Sequence, residues 1–170
     1  AELLLNTYSK ILEKNVQIAI LGTGEERFES GFRYMEEHNK GKAVYYNGYN
    51  DALAHEFYGG LDILMMPSLF EPCGISQLIA MRYGTLPLVR ETGGLKDTVE
   101  PYNEVDQTGR GFSFGPYNAD DMLKVLDIAL DVYENRYKDF EMLITNAMKY
   151  DVSFDTSARK YEDLYKKLTD

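Results

Sequence analysis

The run Glu71-Pro72-Cys73-Gly74-Ile75-Ser76-Gln77 places a carboxylate, a thiol and a hydroxyl around a glycine, just before an apolar stretch. If a helix opens at or just after Gly74, the amides of Gly74, Ile75 and Ser76 lack intrahelical acceptors and sit at the positive end of the helix dipole. A pyrophosphate fits such a terminus. Glu71 precedes those amides in a loop stiffened by Pro67 and Pro72. Alone it reads as an exposed loop acid or a capping partner; in a pre-organised loop it reads as a fixed acceptor for sugar hydroxyls. Cys73 reads on general grounds as a small buried hydrophobe. A cysteine nucleophile needs a nearby histidine, and His38 and His55 fall on helical stretches away from the strand ends. One cysteine and two scattered histidines give no zinc-site spacing.

Three further strings could touch a ligand. Gly22-Thr23-Gly24 lacks the third glycine and the downstream acid of a dinucleotide fingerprint. It reads first as a tight strand-to-helix turn, and second as a close backbone approach to a ligand. Tyr49 ends a strand in a Gly-Tyr-Asn turn. Packing is the ordinary role for one of 14 tyrosines, and base stacking is the alternative. Thr92-Gly93-Gly94-Leu95 reads as a helix start capped by Thr92, or as backbone open to a ligand.

The elements that position these strings follow from hydrophobic spacing. Leu4, Leu5, Tyr8, Ile11 and Leu12 give an amphipathic helix over 2–14. Strands are expected at 16–21, 42–49, 62–66, 85–89 and 111–114, with helices at 25–38, 51–58 and 74–83. In the helix at 74–83, Ile75, Leu78, Ile79 and Arg82 share a side. Met122, Leu126, Ala129, Leu130 and Tyr133 mark a further helix, and two more follow near 137–149 and 155–168. The polar stretch 103–111 reads as a loop. Strands alternating with helices, mostly as continuous apolar runs, predict an α/β fold: a Rossmann-like parallel sheet with helices on both faces and a helical last third. In such a sheet ligands bind beyond the carboxyl ends of the strands. All four strings fall at such ends, and that convergence outweighs any one of them.

Composition sets the outer bounds. The chain has 170 residues, 44% hydrophobic, enough for one domain with its own core. A net charge of -10 makes nucleic acid an unlikely partner, because phosphate tracking needs a basic surface. No window approaches the roughly 20 apolar residues of a membrane span. The first residues lack the basic start of a signal peptide, and the single cysteine fits a reducing compartment.

Taken together the strings resemble the C-terminal, nucleotide-sugar-binding domain of bacterial glycogen synthases and plant starch synthases. The resemblance rests on Gly48-Tyr49, Met66-Pro67-Ser68, Glu71 to Gln77, Met81-Arg82-Tyr83-Gly84-Thr85-Leu86-Pro87 and Thr92-Gly93-Gly94-Leu95. Asp151-Val152-Ser153-Phe154, Ser157-Ala158 and Tyr161 are similar to the family's final helix. The cysteine form of the loop sets this family apart from broader retaining transferases. Those carry an acid where this chain has Ile79, so no ribose-binding acid is expected there.

The resemblance implies a GT-B architecture, with two Rossmann-like domains and the active site between them. It implies retaining transfer of glucose from ADP-glucose to the 4-hydroxyl at the non-reducing end of an α-1,4-glucan. Glu71 would bond the donor glucose and Cys73 would line the same pocket. The amides of Gly74, Ile75 and Ser76 would hold sugar and phosphates, and Tyr49 would stack on adenine. The glycine turns at Gly22 and Gly24 and the segment Thr92, Gly93 and Gly94 would offer backbone to the same ligand. No cofactor or metal is implied. The compartment would be a bacterial cytoplasm, or a plastid in a plant.

Against that family the chain looks like a fragment. It lacks the N-terminal, glucan-binding domain and the first strand of this one, with the arginine and lysine that would neutralise the diphosphate. An isolated chain would then be inactive and bind nucleotide weakly. In the strand order 3-2-1-4-5-6 the first strand is central. Its loss leaves three outcomes: the sheet closes over, another chain fills the gap, or the boundary is misplaced. Two other functions stay open: a retaining transferase with another donor, and a non-catalytic nucleotide-binding module.

Overall fold

A computed structural model describes residues 1–169. The order is α1 (Glu2–Leu12), β1 (Ile18–Gly22), α2 (Glu26–His38), β2 (Ala43–Asn47), α3 (Asp51–Gly60), β3 (Ile63–Met66), α4 (Ser76–Tyr83), β4 (Leu86–Arg90), α5 (Gly93–Thr98), β5 (Phe112–Phe114), α6 (Ala119–Asn135), α7 (Tyr137–Lys149) and α8 (Phe154–Thr169). Every strand anticipated from the sequence is present, with its ends moved by at most two residues.

All strand pairs are parallel, but they form two sheets. In one, β1 pairs with β2 from Ile18 opposite Ala43 to Gly22 opposite Asn47. In the other, β3, β4 and β5 lie in that order. Among the described residues β1 and β3 share no ladder.

The main core sits on one side of the three-stranded sheet. Leu86 and Leu88 of β4 and Phe112 and Phe114 of β5 pack against Met122, Leu126, Ala129 and Val132 of α6 and Phe140, Leu143 and Ala147 of α7. Side chains alternate across a strand, so Val89 faces the other way, onto Leu95 and Val99. β4 is thus covered on both faces. β2 is not: Ala43 and Tyr45 are buried with Phe32 and Met35 of α2, while Val44 and Tyr46 are exposed. The α/β fold with parallel strands and helices, expected from the sequence, is what the structure shows, with the Val44 and Tyr46 face of β2 left open. Leu3 and Ile11 of α1 join the main core and Leu12 joins the β2 cluster, so α1 ties the two parts together.

The sequence pattern puts Ile75, Leu78, Ile79 and Arg82 along one side of α4; the buried residues of the helix are Gln77, Ala80 and Met81, with Leu78 partly buried against the main core. Ile75 lies before the first turn and is 67% exposed. The segment 103–111 is more than a loop. Asn103 bridges Thr108 in antiparallel fashion, Pro101 bridges Gly111, and the Asn103 side chain accepts from the amides of Val105 and Asp106. Such an Asx turn needs only one well-placed polar side chain. No helix among the described residues is long and apolar enough to cross a membrane.

Candidate functional site

β3 stops at Met66 because Pro67 has no amide proton for the ladder. The chain then runs as a loop to Ile75, which caps α4. Five carbonyls of this loop are met by a donor from the protein side. Arg90, the last residue of β4, donates through Nη1 to the carbonyls of Ser68 (3.3 Å) and Leu69 (2.7 Å). The Gly94 amide donates to the Pro72 carbonyl at 3.1 Å. The Gln77 side chain donates through Nε2 to the carbonyls of Cys73 (3.2 Å) and Gly74 (3.0 Å).

With the carbonyls so engaged, the amides of Gly74, Ile75, Ser76 and Gln77 meet no acceptor among the described residues. Helix α4 starts at Ser76 and has no side-chain cap, so these donors and the helix dipole act together at one place. Gly74 has φ +72°, in the left-handed region that favours glycine. Glu71 is half-buried, and its carboxylate takes no donor from the described residues.

Gly93 and Gly94 lie against this loop. A Cβ on Gly93, which has φ +45°, would stand 2.0 Å from the Glu71 carbonyl oxygen. One on Gly94 would stand 2.2 Å from that of Cys73. The room these glycines leave is filled by the backbone of the Glu71 loop. Thr92 is at the N-cap position of α5 but makes no side-chain cap bond.

The other strings form a separate pair at the carboxyl ends of β1 and β2. Glu29 accepts from the Gly24 amide at 3.0 Å, from Asn47 Nδ2 at 2.8 Å and from Arg33 Nη2 at 2.9 Å. The Gly24 amide first, and the Asn47 amide next, hold the Glu29 carboxyl below the usual carboxylate range. The Gly24 amide is thus taken by a carboxylate, which makes this a capped turn. Gly22 offers its carbonyl to the Tyr45 hydroxyl at 3.1 Å. Tyr49 is 90% exposed and packs on no other ring among the described residues.

Cys73 is exposed and unpaired, so the reading of a buried hydrophobe is corrected: its carbonyl, not its thiol, faces inward. Neither histidine approaches it. His38 stacks on Tyr34, and His55 shares a hydrogen bond with the Tyr83 hydroxyl. No group of three His, Cys, Asp or Glu among the described residues is arranged to hold a metal. The arrangement suits an anion at the α4 terminus, with a carboxylate beside it for hydroxyl donors. Sequence reasoning gave Gln77 and Arg90 no role. Gln77 stands where helical spacing calls for an apolar residue, and Arg90 ends an otherwise apolar strand; those are the only traces they leave in the sequence.

Residues 1–149 match the family described as Glycosyl transferases group 1. The glycogen synthase of Lachnospira eligens is 47% identical over 167 residues, covering 98% of this chain and 35% of that protein. The glycogen synthase of Fusobacterium nucleatum is 48% identical over 165 residues, covering 97% of this chain and 36% of that protein. The chain therefore spans about a third of the length of these relatives. The catalytic domain of starch synthase IV from Arabidopsis thaliana, solved with ADP and acarbose, superposes with a TM-score of 0.84 at 30% identity, over 98% of this chain and 35% of that one. A sucrose-phosphate synthase from Thermosynechococcus elongatus, 18% identical with a TM-score of 0.66, shares the fold.

Proposed function

The chain belongs to the glycosyl transferases group 1 family, and from that premise we propose that it is the nucleotide-sugar-binding part of a longer glycogen or starch synthase. Its donor is ADP-glucose, and the glucose goes with retention to the 4-hydroxyl at the non-reducing end of an α-1,4-glucan held by the rest of the protein. The observation that carries this reading is the set of acceptor-free amides at Gly74, Ile75, Ser76 and Gln77 behind the unpaired Glu71 carboxylate. The glycogen synthase relatives and the starch synthase solved with ADP support it.

In this reading the α4 terminus gathers the charge that develops on the departing diphosphate, which speeds transfer because the dipoles are fixed before the reaction. Glu71 accepts from glucose hydroxyls and fixes the sugar for attack. Cys73 and Ser76 line the sugar side, and Tyr49 is the surface for adenine. The backbone at Gly22, Gly24 and Thr92 to Gly94 borders the ligand without reading it. No metal or cofactor takes part, and the protein works in the cytoplasm of a bacterium.

The test is glucan synthesis by the full-length protein with ADP-glucose and UDP-glucose in parallel. Elongation of an α-1,4-glucan with ADP-glucose preferred supports the reading. Elongation with UDP-glucose alone changes the donor, and no elongation with either removes the synthase assignment.

A further inference from the structure

Diphosphate binding at a helix terminus fails if peptide carbonyls point the same way as the amides, because each carbonyl oxygen carries partial negative charge. In the loop before α4 this is prevented by two side chains, Gln77 and Arg90. Gln77 is wholly buried. Its Nε2 lies within 3.2 Å of the Cys73 carbonyl, 3.0 Å of the Gly74 carbonyl and 3.2 Å of Thr98 Oγ1. Thr98 already donates its proton to the Gly94 carbonyl at 2.6 Å, so it can only accept from Gln77. Three acceptors around one group fix the side-chain amide with nitrogen toward the loop. The cost is visible on the other side: Gln77 Oε1 is buried without a partner. An unpaired buried acceptor is destabilising, so this side chain is poorly matched to a purely packing role.

Arg90 does the same for the first half of the loop. Its Nη1 reaches two successive carbonyls, Ser68 and Leu69, its guanidinium lies 5.6 Å from the Tyr117 ring centroid, and its Nε is buried without a partner. We propose that Arg90 and Gln77 are positioning residues for donor binding: with the Gly94 amide they turn the carbonyls of Ser68, Leu69, Pro72, Cys73 and Gly74 into the protein, so that the amides of Gly74 to Gln77 converge on the diphosphate. Neither residue touches the donor. The proposal rests on the donor-site reading above.

The test uses the full-length protein with Arg90→Met, Arg90→Lys and Gln77→Glu, and ADP as the probe. Gln77→Glu keeps the shape but sets an acceptor against two carbonyls. Two quantities are read: the ADP dissociation constant by calorimetry, and deuterium uptake at the Gly94 amide in ligand-free protein. The uptake reports whether the loop keeps its seat, because that amide is bonded to Pro72. Arg90→Met and Gln77→Glu should weaken ADP roughly tenfold or more, the scale of losing a charged or doubly used donor, and raise Gly94 uptake. Arg90→Lys, which keeps a charged donor, should recover most of both. ADP binding for Gln77→Glu should also improve as pH falls and the new carboxyl protonates and donates again. Faster uptake with unchanged ADP affinity would reduce both residues to structural supports and overturn the proposal, as would folded variants unchanged in both readouts. If wild-type protein itself fails to bind ADP, the donor reading falls, and the uptake alone then decides whether these side chains hold the loop.

Discussion

Gly93 and Gly94 show why residue types near this site are constrained from behind as well as from the ligand side. Any Cβ there would enter the backbone of Glu71 or Cys73. We predict that Gly94→Ala lowers stability by about 1–3 kcal/mol, the range for forcing atoms into a packed site, and weakens ADP binding because the loop must move. Urea unfolding of the variant beside the wild type, with an ADP titration, checks both. At this scale the sequence was legible where a residue's type carries its own geometry. Gly74 needs a left-handed φ, and Pro67 ends a strand. Nothing in the type of Gln77 says that it will turn back on the carbonyls of Cys73 and Gly74, or in that of Arg90 that it will reach carbonyls more than twenty residues earlier. Cys73 misled for a related reason: free cysteines are usually buried, and here the loop's inward-facing carbonyls leave the thiol outside.

Helix α4 is the element on which the site is mounted, and its seat decides where the amides point. Its buried side is Gln77, Ala80 and Met81, and Met81 is 1% exposed in the main core. Met81→Ala should therefore cost about 2–5 kcal/mol, while Ile75→Ser, at an exposed position, should change unfolding little. A comparison of their urea midpoints tests this choice of face. The other end of α4 is held by Thr85, which is buried and whose Oγ1 lies 2.6 Å from the carbonyls of both Tyr58 and Leu61. Thr85→Val should cost about 1–3 kcal/mol through the unmet carbonyls, as thermal unfolding would show. Strands and helices were readable because apolar period and turn residues are local signals. The face of α4 was not, because a short helix with Gln77 in its buried stripe breaks the period that would reveal it. The turn at 103–111 was read only as polar chain, since a bridge between Asn103 and Thr108 leaves no hydrophobic pattern.

For the whole molecule, the sheet in two parts is the main departure from a simple doubly wound fold. α1 joins the parts through both cores, and the carboxyl ends of β1–β2 and of β3–β4 carry separate loop pairs. The sequence could show that all the strings sit at strand ends, but not that the ladder breaks between β1 and β3, because pairing partners are set in space. At the edge of the main core, Tyr102 donates to Asp139 of α7 at 2.5 Å. Burial first, and then this bond, push its hydroxyl up to about 12 from 10.0. The folded form thus resists ionisation more than the unfolded one. The contribution is whole below pH 10 and is lost as pH rises from about 10 to 12. Tyr102→Phe should be less stable than wild type near neutrality and lose less stability over that alkaline interval, as unfolding measured at a series of pH values would show. The central claim is that the loop before α4 is where glucose is transferred. It is tested most directly by the turnover of Glu71→Ala in the full-length protein with ADP-glucose and a glucan primer, beside its ADP affinity. The account predicts a loss of turnover of roughly a hundredfold or more, in the range for removing one preorganised polar group from an active site, with ADP binding little changed; turnover equal to wild type would contradict it.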